Sequence, residues 1–250
     1  MIKVVFFDFY NTLARFWPPI EKIQQEAAAA LDLKASREGI RRGYAVADDF
    51  MVKENAIRAV FARTPEDRDT FFAEYERRVL EGAGLKVTKE VAGRVWKRTQ
   101  EVPKDLALFS DTLPALKALK KREIAIAVVS NLRNMDAVMA RLGIAPYLDF
   151  VVTSEEAGAE KPHPAIFQLA LTRGGVTASE AVHVGDQYNS DIVGAQRAGI
   201  QPVLIDRFGM QTDATGCIRI RRLTEVMQLI DGVPVASGGP GEEAVVEDNE

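Results

Sequence analysis

Five short runs of β-branched and aromatic residues, at positions 3–7, 124–129, 150–153, 181–185 and 202–205, constrain the fold of this chain most. They are continuously apolar rather than alternating, the pattern of strands buried on both faces. Helical patterns at 135–142, 165–171 and 191–198 lie between the last four runs, and Gly143, Gly174 and Gly199 follow them. Each glycine suits the left-handed residue that closes many helices. Strand, helix, strand, repeated, implies right-handed crossovers and a doubly wound parallel sheet with helices on both faces, an α/β, Rossmann-like core.

The first run stands apart. No further strand is expected after Phe9 until about residue 124. The intervening chain reads as helix at 21–33, 36–60, 66–80 and 87–100, punctuated by Pro65, Gly82 and Gly84. The expected organisation is an α/β core built from 1–14 and 106–232 and an inserted all-helical domain at 15–105. Pro18, Pro19 and residues 101–104 are its hinges, and an acidic, disordered tail spans 233–250.

Charge narrows the partners. The chain of 250 residues carries 32 Lys and Arg against 36 Asp and Glu. Glu242, Glu243, Glu247, Asp248 and Glu250 all sit in the last ten positions, so the remainder is close to neutral. A nearly neutral body has no field suited to nucleic acid or a membrane surface. The longest aliphatic stretch, 124–129, is far short of the ~20 residues that span a bilayer. A small-molecule substrate is expected, with the oligomeric state left open. Cys217 is the single cysteine and cannot form an internal disulfide. The first apolar run is broken by Asp8 too early for a signal-peptide core, so a cytoplasmic location is expected.

In open parallel sheets chemistry collects at the C-terminal ends of the strands. There the sequence places Asp8 after the first run, Ser130-Asn131 after the second and Gly185-Asp186 after the fourth, with Asp191 five residues on. Lys161-Pro162 precedes the fourth run. Taken singly, each has an ordinary structural role as turn former, helix cap or surface lysine. Together, Asp8, Asp186 and Asp191 bring three negative charges to one edge. Lys161 offsets one, and a divalent cation would offset the rest. Hard oxygen donors of this kind favour Mg²⁺.

The ordered set resembles the haloacid dehalogenase superfamily of hydrolases, over nearly the whole chain to about residue 231. The matching motifs are Asp8-x-x-x-Thr12-Leu13, Ser130-Asn131, Lys161-Pro162 and Gly185-Asp186 with Asp191. The helical insert resembles the superfamily's cap. The resemblance implies Asp8 as nucleophile, Ser130 and Lys161 holding the transferring group, and Asn131 beside the substrate. It also implies Thr12 orienting the nucleophile loop, and Mg²⁺ held by Asp8, Asp186 and the Tyr10 carbonyl with Asp191 in support.

One position departs from the phosphatase pattern. Tyr10 stands where those enzymes carry a second Asp that acts as acid and base, and Asn11 where they carry Gly. A phenol is a poor general base at neutral pH. Tyr there resembles the family's dehalogenases, which expel halide without a proton and hold the substrate carboxylate with a cap arginine, a role open to Arg41 or Arg42. The acidic pair Asp186 and Asp191 points the other way, to a metal and a phosphoryl substrate. The leading expectation is a Mg²⁺-dependent phosphatase of a small phosphorylated metabolite. The alternatives are a metal-independent 2-haloacid dehalogenase and a catalytically weakened binding or regulatory protein. Asp48 or Asp49 is the next source of a proton if Tyr10 supplies none. His183 is expected to be a core histidine, and His163 a cap or solvent-facing residue.

Overall fold

The computed structural model describes residues 1–132, 134–211 and 214–235. The first strand, β1 (Val4–Phe7), is fully buried along its length. Its side chains alternate, with Val5 and Phe7 in one apolar cluster and Val4 and Phe6 in another. Core therefore covers both faces, as the unbroken apolar run requires, and each such side chain contributes about 1.5–3 kcal/mol on burial.

The chain then passes through β2 (Ala14–Trp17) and four helices: α1 (Ile20–Ala29), α2 (Arg37–Ile57), α3 (Pro65–Gly82) and α4 (Lys89–Glu101). It returns through β3 (Asp105–Leu108), which pairs with β2 in a two-stranded sheet. These two strands correct the expectation of no strand between residues 9 and 124. Each has four residues and carries a charge, Arg15 in one and Asp105 in the other, so neither forms an apolar run.

Beyond β3 come α5 (Thr112–Lys120), β4 (Ala125–Ser130), α6 (Met135–Arg141), β5 (Phe150–Thr153), α7 (Ser154–Ala157), α8 (Pro164–Gly174) and β6 (Ala181–Gly185). A π-helical turn (Tyr188–Ile192) leads into α9 (Val193–Arg197), followed by β7 (Gln201–Ile205), β8 (Ile218–Ile220) and α10 (Val226–Ile230). The main sheet is parallel, in the order β5-β4-β1-β6-β7-β8. This is the doubly wound α/β architecture expected. β8 was not anticipated, because an Ile-Arg-Ile edge strand is too short and too polar in its centre to register.

Three smaller expectations are corrected. The left-handed residue after α8 is Gly175 (φ 62°), while Gly174 stays in the helix. The helix expected at 191–198 begins instead as the π turn. The chain does not become a free tail at 233: the Val233 N–H donates to the Gln228 carbonyl (2.7 Å), and Val235 packs on the apolar cluster of Val5 and Phe7. The acidic residues at 242–250 lie outside the described residues.

The chain divides into two compact units, one formed by Met1–Arg15 with the described residues from Leu106 on, the other Phe16–Asp105. Within the helical unit, Ser36, Thr64 and Thr88 cap α2, α3 and α4, each accepting the N–H three residues on. Helices α2 and α3 approach closely at glycines. A Cβ on Gly43 would lie 1.9 Å from the Val79 carbonyl oxygen, and one on Gly82 would lie 2.4 Å from Gly43 Cα. Among the described residues, no helix is long and apolar enough to cross a membrane.

Candidate active site

Central position in the sheet sets the site. β1 lies between β4 and β6, so the C-terminal ends of all three are neighbours. The Asp8 N–H extends the ladder one residue beyond β1, donating to the Val184 carbonyl at 2.8 Å. Asp8 is therefore fixed at the sheet edge, 8 % exposed. Lys161, 4 % exposed, is no surface lysine. Its Nζ lies 2.5 Å from Asp8 Oδ1 and 2.6 Å from Asp191 Oδ1, bridging the two carboxylates.

Asp191 is buried behind this bridge. His183 Nε2 lies 2.9 Å from Asp191 Oδ1, and the Gln187 N–H donates to Oδ2 at 3.1 Å. The π turn that delivers Asp191 is closed by the Ile192 N–H on the Gln187 carbonyl (3.4 Å), which also accepts the Asp191 N–H (2.8 Å). Gly185 makes room for it, since a Cβ there would lie 2.2 Å from Asp191 Cγ. His183 is the expected core histidine, edge-on to Phe167. Its hydrogen bond to Asp191 went unanticipated.

Electrostatics follow from burial and charge. Burial pushes the Asp8 carboxyl up, with the Asp191 charge adding to it, and Lys161 only partly opposes. Burial acts against Asp191 too, but the Lys161 charge and the His183 hydrogen bond overcome it and hold it well below the usual range. Lys161 loses solvation, yet two carboxylates hold it above its ordinary value, so it stays charged. Burial lowers His183, which is neutral and donates its Nε2–H to Asp191.

Among the described residues, Asp8, Asp186 and Asp191 each place a carboxylate oxygen within 4.8 Å of the others. This donor set can take a metal ion. The oxygens are hard, and Lys161 alone does not neutralise three carboxylates. Both oxygens of Asp191 already accept hydrogen bonds.

The remaining expected site residues divide. Ser130 is buried at the end of β4 and accepts the Leu132 N–H at 3.1 Å, which leaves its O–H to donate. Asn131, expected beside the substrate, also ties down the neighbouring loop. Its Oδ1 accepts the Lys161 N–H (2.8 Å), its Nδ2 donates to the Lys161 carbonyl (3.4 Å), and its own carbonyl accepts Ser154 Oγ–H. The side chain is spent on holding the Lys161-Pro162 loop, whose peptide is cis. The Thr12 hydroxyl, expected to orient the loop, is buried without a hydrogen-bond partner, and the Thr12 carbonyl accepts Arg207 Nη2 at 2.7 Å.

Tyr10 packs against the apolar cluster of Val5 and Phe7, and burial pushes its phenol above the ordinary range. It stays protonated and is a weaker acid than a free tyrosine. Asn11 adopts φ 55°, the left-handed conformation that a glycine would take and that Asn tolerates best among other residues.

Arg41 and Arg42, either of which was a possible carboxylate binder, both pair with carboxylates of this chain. Arg41 Nε pairs with the buried Glu21 at 2.6 Å, and Arg42 pairs with Glu38 on an exposed face of α2. In the same unit, Tyr75 donates to Asp48 at 2.6 Å, and Asp49 pairs with Lys53. His163 caps α8, its Nδ1 accepting the Ala165 N–H.

Residues 2–199 match the family model described as haloacid dehalogenase-like hydrolase. This chain belongs to that family. A ribulose-1,5-bisphosphate 5-phosphatase of Halopiger xanaduensis is 41 % identical over 113 residues, 44 % of this chain and 47 % of that protein. A glyceraldehyde 3-phosphate phosphatase of Methanopyrus kandleri is 31 % identical over 210 residues, 83 % of this chain and 85 % of that one. Several curated relatives are thus matched over less than half their length. Among solved structures of the family, a 2-haloacid dehalogenase of Pseudomonas syringae pv. Tomato is 27 % identical with a TM-score of 0.53, covering 93 % of this chain and 99 % of that one.

Proposed function

We propose that this haloacid dehalogenase-like hydrolase is a Mg²⁺-dependent phosphatase of a small phosphorylated metabolite. The observation that carries the proposal is the convergence of Asp8, Asp186 and Asp191 within 4.8 Å of one another at the sheet edge. Halide displacement from a haloacid needs no such acidic cluster. A phosphoryl group, itself anionic, needs a cation among carboxylates to approach at all. The relatives named as triose- and pentose-phosphate phosphatases supply the first substrates to try.

In this reading Asp8, Asp186 and the Tyr10 carbonyl hold the ion, and Asp191 supports them from behind. When bound, Mg²⁺ supplies positive charge that offsets the phosphoryl oxygens. The Asp8 carboxylate oxygen attacks phosphorus, the bond from phosphorus to the leaving oxygen breaks, and an aspartyl phosphate forms. Water then attacks the same phosphorus, freeing Asp8 and releasing inorganic phosphate. Ser130 O–H and Lys161 Nζ hold the transferring oxygens. Tyr10 offers no acid, so esters with good leaving groups react far faster than alkyl phosphates. The helical unit 16–105 is the cap and specificity element.

A second reading rests on Tyr10 and on the 27 % identity to a 2-haloacid dehalogenase. One experiment separates the two. Phosphate release is measured from p-nitrophenyl phosphate and glyceraldehyde 3-phosphate, and chloride release from 2-chloropropionate, each with Mg²⁺ and with EDTA. Phosphate release abolished by EDTA supports the proposal. Chloride release that is indifferent to EDTA overturns it in favour of the dehalogenase, and metabolite binding with no turnover overturns both.

A further inference from the structure

Arg207 lies two residues beyond β7, outside every motif and outside residues 2–199. Its side chain is nevertheless 11 % exposed, and its guanidinium lies 3.8 Å from the centre of the Phe109 ring. A buried guanidinium needs its charge and its donors met. Nη1 donates to Asp111 Oδ2 at 2.9 Å, and Nη2 to the Thr12 carbonyl at 2.7 Å. Asp111 Oδ2 also accepts the Leu223 N–H at 2.8 Å, so three distant segments meet at this one group.

Thr12 belongs to the loop that begins with Asp8. That loop is tied internally by the Leu13 and Ala14 N–H groups on the Phe9 carbonyl and by the Asn11 N–H on the Ala14 carbonyl. These bonds make residues 9–14 one tight turn. Externally its Leu13 carbonyl accepts the Phe109 N–H (3.1 Å) and Thr112 Oγ1–H (2.7 Å), beside the bond from Arg207 to Thr12. Of these three anchors, only Arg207 is charged. It is also close enough to Asp186 for the two charges to interact.

We infer that Arg207 is a positioning residue of the nucleophile loop: held by Asp111 and stacked on Phe109, it clamps the Thr12 carbonyl and so fixes the direction of Asp8. The inference rests on Asp8 being the nucleophile. A charge-assisted hydrogen bond is worth enough to change a rate about 10- to 100-fold when its geometry is lost. Arg207 touches no reacting atom, so the loss falls on kcat and not on KM.

The test uses Arg207→Met, Arg207→Lys, Arg207→Ala and Asp111→Asn in the full chain. Turnover of p-nitrophenyl phosphate is measured beside amide hydrogen exchange of peptides covering residues 8–14. Expected are a kcat lowered about 10- to 100-fold in Arg207→Met with KM within about twofold, and a smaller loss in Arg207→Lys and Asp111→Asn. Exchange should rise in 8–14 while β6 and β7 stay protected, and guanidinium ion should partly restore Arg207→Ala. Wild-type kcat with unchanged exchange at 8–14 overturns the inference. So does exchange that rises equally through β7 and β8 without guanidinium rescue, the mark of general loosening. Should the wild type hydrolyse no phosphate ester, the phosphatase reading falls, and the exchange measurement decides the role of Arg207 alone.

Discussion

Glu76 is the least expected charge in the helical unit. It is fully buried in α3, where Gln24 Nε2 donates to its Oε1, while its Oε2 and Gln24 Oε1 have no hydrogen-bond partner. Protonation of Glu76 would supply a donor where these buried acceptor oxygens have none. Burial accordingly pushes the carboxyl from its ordinary 4.5 up to about 7, with the Gln24 hydrogen bond opposing. At 1.36 kcal/mol for each tenfold change, that difference corresponds to about 3 kcal/mol. The sign follows from linkage: the folded state holds the proton more tightly. The contribution is complete below about pH 4.5 and is lost as pH rises through about 7. Glu76→Gln removes the ionisation and keeps the pairing, since Gln offers an N–H where the acid offered O–H. Urea unfolding followed by tryptophan fluorescence reads this unit directly, because both Trp17 and Trp96 belong to it. Wild type and Glu76→Gln should be nearly equal below about pH 4.5, and the variant's advantage should grow from about 1 kcal/mol at pH 5 to about 3 kcal/mol at pH 8. A stability difference that does not change between pH 5 and 8 would refute the buried-acid account.

Three further outcomes are expected. Asp8→Asn should abolish turnover of every accepted substrate with little change in melting temperature, since the amide cannot attack; near wild-type activity places the chemistry elsewhere. Gly185→Ala forces a Cβ to within 2.2 Å of Asp191 Cγ, and should cost about 1–3 kcal/mol in urea unfolding together with most of the Mg²⁺-dependent activity; unchanged stability shows the π turn yields without strain. Tyr10→Asp should raise alkyl phosphatase activity about 10-fold relative to aryl phosphatase activity, and an unchanged ratio would mean another group supplies the proton.

How far the site could be read from the sequence follows from what an apolar run encodes. A parallel strand buried on both faces announces itself, and its end fixes the next residue in space. Asp8, Ser130 and Asp186 were legible for that reason. The loops between strands carry no such period. Asn131 reaches Lys161 across thirty residues, and Arg207 reaches Thr12 across 195, so neither link leaves a spacing to detect. Nor does the sequence disclose that Arg41 and Arg42, either of which was a possible carboxylate binder, are each already paired with a glutamate of the helical unit. β2, β3 and β8 escaped because strands of three or four residues with a charge among them resemble loops.

The departure at Tyr10 is chemical rather than conformational. Asn11 keeps the left-handed turn, and the Asn11 N–H still closes on the Ala14 carbonyl, so the loop that presents Asp8 does not depend on a glycine. Only the side chain at position 10 changes character, from a carboxylate in the phosphatase pattern to a ring that packs on the core. The contacts around Asp8 and its loop do not involve the Tyr10 side chain: the ladder bond to Val184, the Lys161 bridge and the bond from Arg207 to the Thr12 carbonyl. With Asp186 and Asp191 beside Asp8, the proposed phosphatase would keep the attack on phosphorus while offering the leaving group no acid at position 10, and its preferred substrate would be one whose leaving oxygen departs unaided.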